Sequence, residues 1–413
     1  MKRIAIIGAG ITGLCTAYYL QKAGHEVIVL DKGDLQDGCS YGNAGMITPS
    51  HIIPLAAPGV IAKGIRWMFN SESPFYIKPR MDLDLLNWAW KFYRSANEEH
   101  VRRSLTVIRD FNWLSKGLYE KMAEEEAFSF AFKKDGILML YKTAHTEEDE
   151  LSIAAKANSL GIKTTTLSAA EVQAMEPETR LDIKGAVHYP DDAHLSPHLL
   201  MSGLKKVLAE RGVHFHGGTE VSHFEKEKGK ISGLATNKGT YHADEYILAG
   251  GSWSPQLSRV LGVKLPLQGG KGYSFTVSDT RLNYPSILIE AKVAVTPMGN
   301  QLRFGGTMEM AGLDLSVNQN RVLGIVKSIP KYYPDYDFRD QLPKQVWSGL
   351  RPCSPDGLPY IGRTPGHDNV VVATGHAMMG LSLGPATGRL VQEIVDGVDS
   401  SMDLGAFGVG RFG

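Results

Sequence analysis

Three glycines and an aspartate near the start of the chain have a spacing that could hold phosphate and ribose. Gly8, Gly10 and Gly13 are spaced Gly-x-Gly-x-x-Gly, and Asp31 follows them. Gly8 permits a tight turn, Gly10 lets a pyrophosphate approach the backbone, and Gly13 lets a helix pack closely on a strand. Free N–H groups at the start of that helix favour an anion. A carboxylate at position 31 can accept both ribose hydroxyls and disfavours a 2′-phosphate.

A strand, a helix and a second strand are needed to position these residues, and the sequence predicts all three. Residues 4–7 are an apolar run typical of a buried strand, 14–23 have helical character before Gly24, and 26–30 form a second apolar run. Glycine spacing alone is weak evidence, but the complete unit in register indicates a dinucleotide site. The alternative is a glycine-rich turn without a ligand.

The loop at residues 37–46 bears on the choice between FAD and NAD. It consists of small residues with hydroxyl and amide groups. Such a loop is suited to wrapping a second phosphate and reaching an isoalloxazine ring, although an ordinary surface loop is an equal alternative from these residues alone.

Composition excludes several classes of protein. A chain of 413 residues is too long for one ordinary core, so we expect two domains. Lys plus Arg equals Asp plus Glu, at 44 each, which gives no reason to expect a nucleic-acid partner. Three cysteines without Cys-x-x-Cys spacing favour a reducing cytoplasm, and no metal site is expected. Glycines interrupt the uncharged run at residues 4–20, so we expect neither a signal peptide nor a membrane span.

Further strand and helix patterns predict how the chain is organised. Nucleotide-type strand–turn–helix units recur at residues 246–261 and 370–395, far from the first unit. We therefore expect an α/β fold in which a Rossmann-like FAD-binding domain is discontinuous and an antiparallel-sheet substrate domain is inserted into it. The expected FAD-binding domain comprises 1–84, 146–223, 243–264 and 342–413. The expected substrate domain comprises 85–145, 224–242 and 265–341.

Several separated motifs together resemble the D-amino acid oxidase family of flavoproteins, which includes glycine oxidase and sarcosine oxidase. The D-amino acid dehydrogenases are the most similar members. The resemblance spans nearly the whole chain. Beyond the first unit, the motifs that carry it are residues 40–49 with 57–59, 249–254, 271–274, 349–352 with 355–362, and 375–382.

The resemblance implies a set of FAD-binding residues. The pyrophosphate would contact Gly8, Gly10, Ile11, Thr12 and Gly13, and the ribose would contact Asp31 with Lys32 beside it. The flavin side would be lined by Ser40, Asn43, Ala44, Gly45 and Met46, the adenine by the backbone of Val221, and the dinucleotide groove by Gly250 and Trp253. The pyrimidine edge of the flavin would meet backbone N–H groups of Gly380, Leu381 and Ser382. Cys353 is not at the offset of the family's flavin-linking cysteine, so we expect non-covalent FAD.

The resemblance also implies substrate-binding residues. Arg351 matches the arginine that pairs with a substrate carboxylate, a task suited to the two parallel donors of a guanidinium. Tyr273 matches an active-site tyrosine, with a core tyrosine nearly as good an interpretation. His51 and His376 flank flavin-loop motifs, and structural roles are equal alternatives. Met378 and Met379 stand near a position where glycine oxidase has an arginine, which puts a glycine-sized substrate in doubt.

The function implied is oxidative deamination of a D-amino acid to a keto acid, with hydride transfer from Cα to flavin N5 and no strong protein base. Oxidation of a secondary amine or imino acid, such as hydroxy-D-proline, D-proline or sarcosine, is an alternative. A non-catalytic flavin-binding module and an NAD-dependent dehydrogenase are rivals. Arg351 argues against the first rival, and a yellow flavin absorbance would exclude the second.

The electron acceptor could be a quinone, a carrier or O2. Apolar residues Val60, Ile61, Ile65, Met68 and Phe69 share a helical face opposite Lys63 and Arg66. One interpretation is a peripheral contact with the cytoplasmic side of a membrane, and the other is a helix packed on its own domain.

Overall fold

A computed structural model describes residues 1–62, 64, 72–227, 229–339 and 342–412. The helices are α1 (Ile11–Lys22), α2 (Leu83–Ser95), α3 (Glu98–Glu125), α4 (Ala144–Ser159), α5 (Ala169–Met175), α6 (Pro197–Glu210), α7 (Ser254–Val260), α8 (Gln319–Ser328) and α9 (Gly384–Asp396). The strands are β1 (Arg3–Ile7), β2 (Glu26–Leu30), β3 (Met46–Ile47), β4 (Phe75–Ile77), β5 (Ile137–Tyr141), β6 (Thr165–Ser168), β7 (Gly185–Tyr189), β8 (Ala193–His194), β9 (His214–His216), β10 (Val221–Glu227), β11 (Lys230–Thr236), β12 (Gly239–Tyr241), β13 (Glu245–Leu248), β14 (Gln268–Val277), β15 (Ser286–Leu288), β16 (Val293–Met298), β17 (Gln301–Met310), β18 (Trp347–Cys353), β19 (Tyr360–Thr364) and β20 (His367–Thr374).

A six-stranded sheet carries the N-terminal unit, in the order β19-β20-β13-β1-β2-β9. All neighbours are parallel except β19, which runs antiparallel to β20 at the edge. The central strands are continuous apolar runs because both faces of the sheet are covered. Helices α1 and α9 pack on one face with α3 and α6, and the small β10-β11-β12 sheet packs on the other.

A second, nine-stranded sheet follows the order β18-β14-β17-β16-β15-β5-β7-β6, with β4 added beside β17. Most pairs are antiparallel, while β15 with β5 and β17 with β4 are parallel. Its own apolar core includes Phe275 and Phe304, whose rings stack with centroids 5.3 Å apart, and residues of α8. The expected α/β fold with a Rossmann-like FAD-binding part and a mainly antiparallel second sheet is confirmed.

Sheet pairing and packing differ from the predicted domain ranges in several segments. Strands β4, β6, β7 and β18 lie within ranges predicted for the FAD-binding domain, yet all four pair in the nine-stranded sheet. Residues 224–242 pack against the six-stranded sheet, and α3, from within 85–145, packs on α9 and α1. We propose that the strands pairing in the nine-stranded sheet belong to the substrate domain, because β7 pairs with β5. Residues 224–242 and α3 would then belong to the FAD-binding domain, because the apolar face of α3 is buried against the first sheet.

Within the described ranges, no helix is long and apolar enough to cross a membrane. The segment we considered for membrane contact falls largely outside those ranges, since Lys63, Ile65, Arg66, Met68 and Phe69 are not described.

Candidate flavin and substrate site

One elongated cavity of about 1450 Å³ is lined by residues of both sheets. Most of the predicted site residues line it, including Arg351, Tyr273, His51 and His376 on the substrate side. Gly13, Gly45 and Ser382 lie behind the lining and support it. Cofactor-side lining residues are Gly8, Gly10, Ile11, Thr12, Asp31, Lys32, Ser40, Asn43, Ala44, Met46, Val221, Gly250, Trp253, Gly380 and Leu381.

The glycine turn between β1 and α1 leaves no room for side chains. A Cβ on Gly8 would lie 2.5 Å from the carbonyl oxygen of Ala249, and its φ of +111° suits glycine. A Cβ on Gly13 would lie 1.8 Å from the carbonyl oxygen of Gly8. The first turn of α1 has no acidic side chain, and its Ile11 N–H donates to Ser40 Oγ at 3.0 Å. A helix start whose N-cap residue has no side chain and whose first turn has no acidic residue favours a pyrophosphate.

Asp31 stands at the end of β2 and holds the turn together. Its Oδ2 accepts from Ala9 N–H and its Oδ1 from Gly33 N–H, both at 2.7 Å. Each carboxylate oxygen keeps a second lone pair for a ribose hydroxyl. Beside it, Lys32 Nζ lies 4.2 Å from the centre of the Trp253 ring, a cation–π contact that closes this end of the cavity.

The loop before β3 is anchored by an arginine from the other sheet. Arg303, on β17, donates through Nη1 to the carbonyl oxygens of Tyr41 and Asn43 at 2.8 and 2.7 Å. Burial lowers the pKa of Arg303 to about 10. The Trp347 ring fills the space where a Cβ on Gly42 would be. The loop is therefore a fixed wall between the two sheets.

The loop before α9 is held by its carbonyl groups. Tyr119 on α3 donates its hydroxyl to the Leu381 carbonyl at 2.7 Å, and Ser115 donates to the Ser382 carbonyl at 2.6 Å. Across the described part of the chain, the N–H groups of Gly380, Leu381 and Ser382 donate to no other protein group. Gly380 and Leu381 line the cavity, and backbone donors fixed in this way suit an electron-rich ring edge.

Arg351 lies on β18 with its guanidinium across β14. Its Nη1 donates to the Thr307 carbonyl at 2.6 Å, and a Cβ on Gly272 would lie within 2.5 Å of the guanidinium. Burial lowers the pKa of Arg351. Among the described residues, no carboxylate pairs with it. The geometry therefore offers a fixed cation with spare donors in the cavity wall.

Tyr273 lines the same cavity, but its hydroxyl is already used. The hydroxyl donates to Glu309 Oε2 at 2.6 Å and accepts from Asn318 N–H at 3.4 Å. Burial and Glu309 raise its pKa. The ring thus contributes a wall, whereas the expected hydrogen bond from Tyr273 to a substrate would require the bond to Glu309 to break.

The two predicted histidines have different surroundings. His376 is buried, its Nε2 lies 2.9 Å from Thr387 Oγ1, and burial lowers its pKa to about 3. His51 Nδ1 lies 3.1 Å from Ser50 Oγ, and burial together with Lys292 lowers its pKa to about 4. Both rings are therefore neutral at physiological pH.

Several functional residues escaped sequence interpretation. Five residues form or position the cavity walls, yet none of them belongs to a local motif: Arg303, Trp347, Ser115, Tyr119 and Thr307. Thr307 has a φ of +68°, which is rare for a residue with a branched Cβ. The sequence contains one signal of the close approach of Arg351. Residues 269–272 include three glycines, and glycines inside a strand often mark a place where another group comes close to the backbone.

Comparison with known proteins identifies the family. Residues 3–394 match the model of the family described as FAD dependent oxidoreductase. The chain belongs to this family. Its cradle fits FAD, because the glycine turn, the Asp31 carboxylate and the N–H groups of Gly380 and Leu381, which have no partner among the described residues, all line the cavity. The expectations of FAD as cofactor, of an FAD-dependent enzyme, and of a resemblance to the D-amino acid dehydrogenases are confirmed.

Relatives within the family share the full length of the chain. A protein of Granulibacter bethesdensis named D-amino acid dehydrogenase is 32% identical, over 99% of both chains. One of Helicobacter pylori with the same name is 30% identical, over 95% of this chain and 94% of its own. Glycine oxidase from Geobacillus kaustophilus superposes with a TM-score of 0.79 at 24% identity, covering 100% of this chain and 99% of that one. This likeness shows a common fold.

Proposed function

We propose that the protein oxidises a D-amino acid to a keto acid, with FAD held non-covalently. The observation that carries the proposal is Arg351, a half-buried guanidinium in the cavity wall with no carboxylate partner among the described residues. A pure flavin-binding module has no reason to maintain such a group. The relatives named D-amino acid dehydrogenase support the choice of substrate class.

The residues of this chain would bind and orient the substrate. Arg351 would take the carboxylate through two parallel hydrogen bonds, while the Thr307 carbonyl fixes the guanidinium. This anchor would direct Cα–H toward the flavin side of the cavity, which lies between β3 and the Gly380 loop. FAD, when bound, supplies the hydride acceptor. The imine product would hydrolyse in water to a keto acid and ammonia.

Non-covalent attachment is supported by the state of the cysteines. Cys15 and Cys353 are buried, and Cys39, which lines the cavity, accepts a hydrogen bond from Leu350 N–H at 3.2 Å. Burial raises the pKa of the Cys39 thiol, so little thiolate is present to attack a flavin. Acid precipitation should release all the yellow colour into the supernatant.

The test of substrate class is an anaerobic screen in which flavin absorbance is followed with D-amino acids, L-amino acids and cyclic imino acids. Replacing Arg351 with Leu should raise KM for carboxylate substrates about 100-fold, because two charge-assisted hydrogen bonds are lost. Arg351→Lys keeps the positive charge but lacks the two parallel donors of a guanidinium, so its KM should lie between those of the wild type and Arg351→Leu. An unchanged KM in Arg351→Leu with full flavin content would exclude this role, and bleaching by imino acids alone would favour the secondary-amine alternative.

We further propose that the electron acceptor is a quinone reached at a lipid surface. Helix α2 exposes Leu83, Leu86, Trp90 and Tyr93 along one face, each at least 59% exposed. The opposite face is buried, and Trp88 Nε1 donates to the Cys353 carbonyl at 2.8 Å. Since Tyr93 also lines the cavity, this apolar face adjoins its mouth.

Vesicle flotation tests this contact. The protein should float with phosphatidylglycerol-containing vesicles, and Leu86→Gln with Trp90→Gln should abolish flotation while flavin reduction by substrate is retained. Asn87→Gln, on the same helix, is the matched control. Equal flotation of the double variant would show that this face is not the contact.

A further inference from the structure

A hydrogen-bonded chain leads from the cavity to a buried carboxylate. Ser50 donates to Asp192 twice, from its backbone N–H to Oδ1 at 2.9 Å and from its hydroxyl to Oδ2 at 2.5 Å. While Asp192 is charged, the single hydroxyl proton of Ser50 goes to it, so the contact of 3.1 Å between Ser50 Oγ and His51 Nδ1 is donated by His51. The Nε2 atom of His51 is then left as an acceptor.

The residues at the two ends of this hydrogen-bonded chain, His51 and Asp192, have surroundings suited to proton transfer. His51 lines the cavity, and in the described part of the chain its Nε2 has no hydrogen-bond partner. Asp192 is fully buried, and no cation within the described ranges forms a salt bridge with it. Burial raises the pKa of Asp192 to about 7, so this carboxylate can gain or lose a proton near neutrality.

We propose, on the basis of the proposed function above, that His51 is the catalytic residue that takes the proton from the substrate ammonium and that Asp192 receives it through Ser50. One N–H bond of the ammonium breaks and a bond to His51 Nε2 forms. His51 then loses its Nδ1 proton to Ser50 Oγ, and Ser50 passes its hydroxyl proton to Asp192 Oδ2. The products are a neutral amine, a neutral carboxylic acid and the other tautomer of His51.

The charges around the chain support this direction of transfer. Lys292 faces His51 and, together with burial, lowers the pKa of the ring to about 4, so His51 is a poor place to store a proton. Glu150 lies near Lys292 on the same cavity wall. Around Asp192, Lys116 favours the charged carboxylate and Asp191 disfavours it, while burial outweighs both. The proton is therefore held on Asp192, with His51 as the carrier.

The test is the pH dependence of flavin reduction in stopped flow, using the D-amino acid that reduces the wild type fastest. The wild-type rate should rise through an inflection near pH 7. His51→Gln and Ser50→Ala should be about 100-fold slower at pH 7 and lack that inflection. Their rates should rise tenfold per pH unit toward the pKa of the substrate amine, where free amine no longer needs a protein base. Ser50→Thr, which restores a hydroxyl, should recover most of the loss.

Two controls distinguish a proton relay through Ser50 from a purely structural role of Ser50 in its loop. Asp191→Asn removes the neighbouring carboxylate, which does not bond Ser50. It should keep the inflection, shifted to lower pH because Asp191 raises the pKa of Asp192, and should keep the wild-type rate above that inflection. At a pH above the pKa of Asp192, nitrogen NMR of the flavin-loaded protein should show His51 protonated on Nδ1, and Ser50→Ala should shift that population toward Nε2. A wild-type pH profile in Ser50→Ala with full flavin content would overturn the relay, as would an Nε2 proton in the resting wild type. If no amino acid reduces the wild-type flavin, the proposed function fails, and the NMR result still decides the tautomer.

Discussion

The cavity wall supplied by the six-stranded sheet is made mainly of backbone, whereas the wall from the nine-stranded sheet is made of side chains. The first wall combines the Gly8 turn, the start of α1 and the N–H groups of the Gly380 loop. The second depends on Arg351, which is held over Gly272 by the Thr307 carbonyl of β17, on the far side of β14. A backbone wall suits a cofactor that every family member binds, while a side-chain wall can change with the substrate.

The substitution expected to disrupt the first wall most strongly is Gly13→Ala. The new Cβ would lie 1.8 Å from the Gly8 carbonyl oxygen, so backbone rather than a flexible side chain must move. We expect complete loss of bound flavin and a fall in the free energy of unfolding of about 3 kcal/mol, as for an overpacked core. Flavin content after gel filtration and urea denaturation measure the two effects.

Two other glycines provide the controls for that change. Gly10→Ala places a Cβ 3.5 Å from Ser40 Oγ, an ordinary contact, so the apo-protein should keep its stability while FAD binds more weakly. Gly117→Ala, on α3, meets nothing within 4 Å and should bind FAD normally. Normal flavin content in Gly13→Ala would mean that the turn adapts and that this wall is less rigid than its contacts indicate.

The same contrast explains how much could be predicted from the sequence. The part of the first wall from Gly8 to Asp31 is built from neighbours in the chain, so glycine spacing, apolar strands and Asp31 were enough to predict it, whereas the Gly380 loop was predicted only through the family resemblance. The anchor of the flavin loop, Arg303, is 260 residues from Asn43, and only the pairing of β17 with β14 brings it there. No periodicity specifies that register. The two-sheet fold was therefore predictable, while most side-chain partners were not.

Tyr273 shows the same limit from the other direction. Its motif implied a hydroxyl available to the substrate, but that hydroxyl donates its hydrogen bond to Glu309 on the neighbouring strand β17. Ser50 and Asp192 illustrate the same limit of sequence-based prediction. Ser50 donates two hydrogen bonds to Asp192, although 142 residues separate them in the chain. A motif can give the residue type at a site, whereas its protonation partner comes from strands and loops that the motif does not include.

A smaller change, Gly272→Ala, tests the second wall without touching the first. Its Cβ would meet the guanidinium of Arg351 at 2.3–2.5 Å, and the side chain can yield by swinging away from the Thr307 carbonyl. We expect KM for carboxylate substrates to rise about tenfold, since one charge-assisted hydrogen bond is lost or misdirected. Flavin content and the melting temperature should stay close to wild type. Steady-state kinetics with the best D-amino acid measure the change.

The comparison with Gly305→Ala decides what the result of Gly272→Ala means. Gly305 lies on the adjacent strand β17, and its Cβ would approach only Ser274 among side chains, at 3.3 Å. That variant perturbs the same sheet without reaching Arg351, so its KM should be unchanged. Equal rises in both variants would attribute the effect to general distortion of the sheet. A rise in Gly272→Ala alone, with unaltered flavin content, would show that the two walls vary independently, as separate cofactor and substrate sites require.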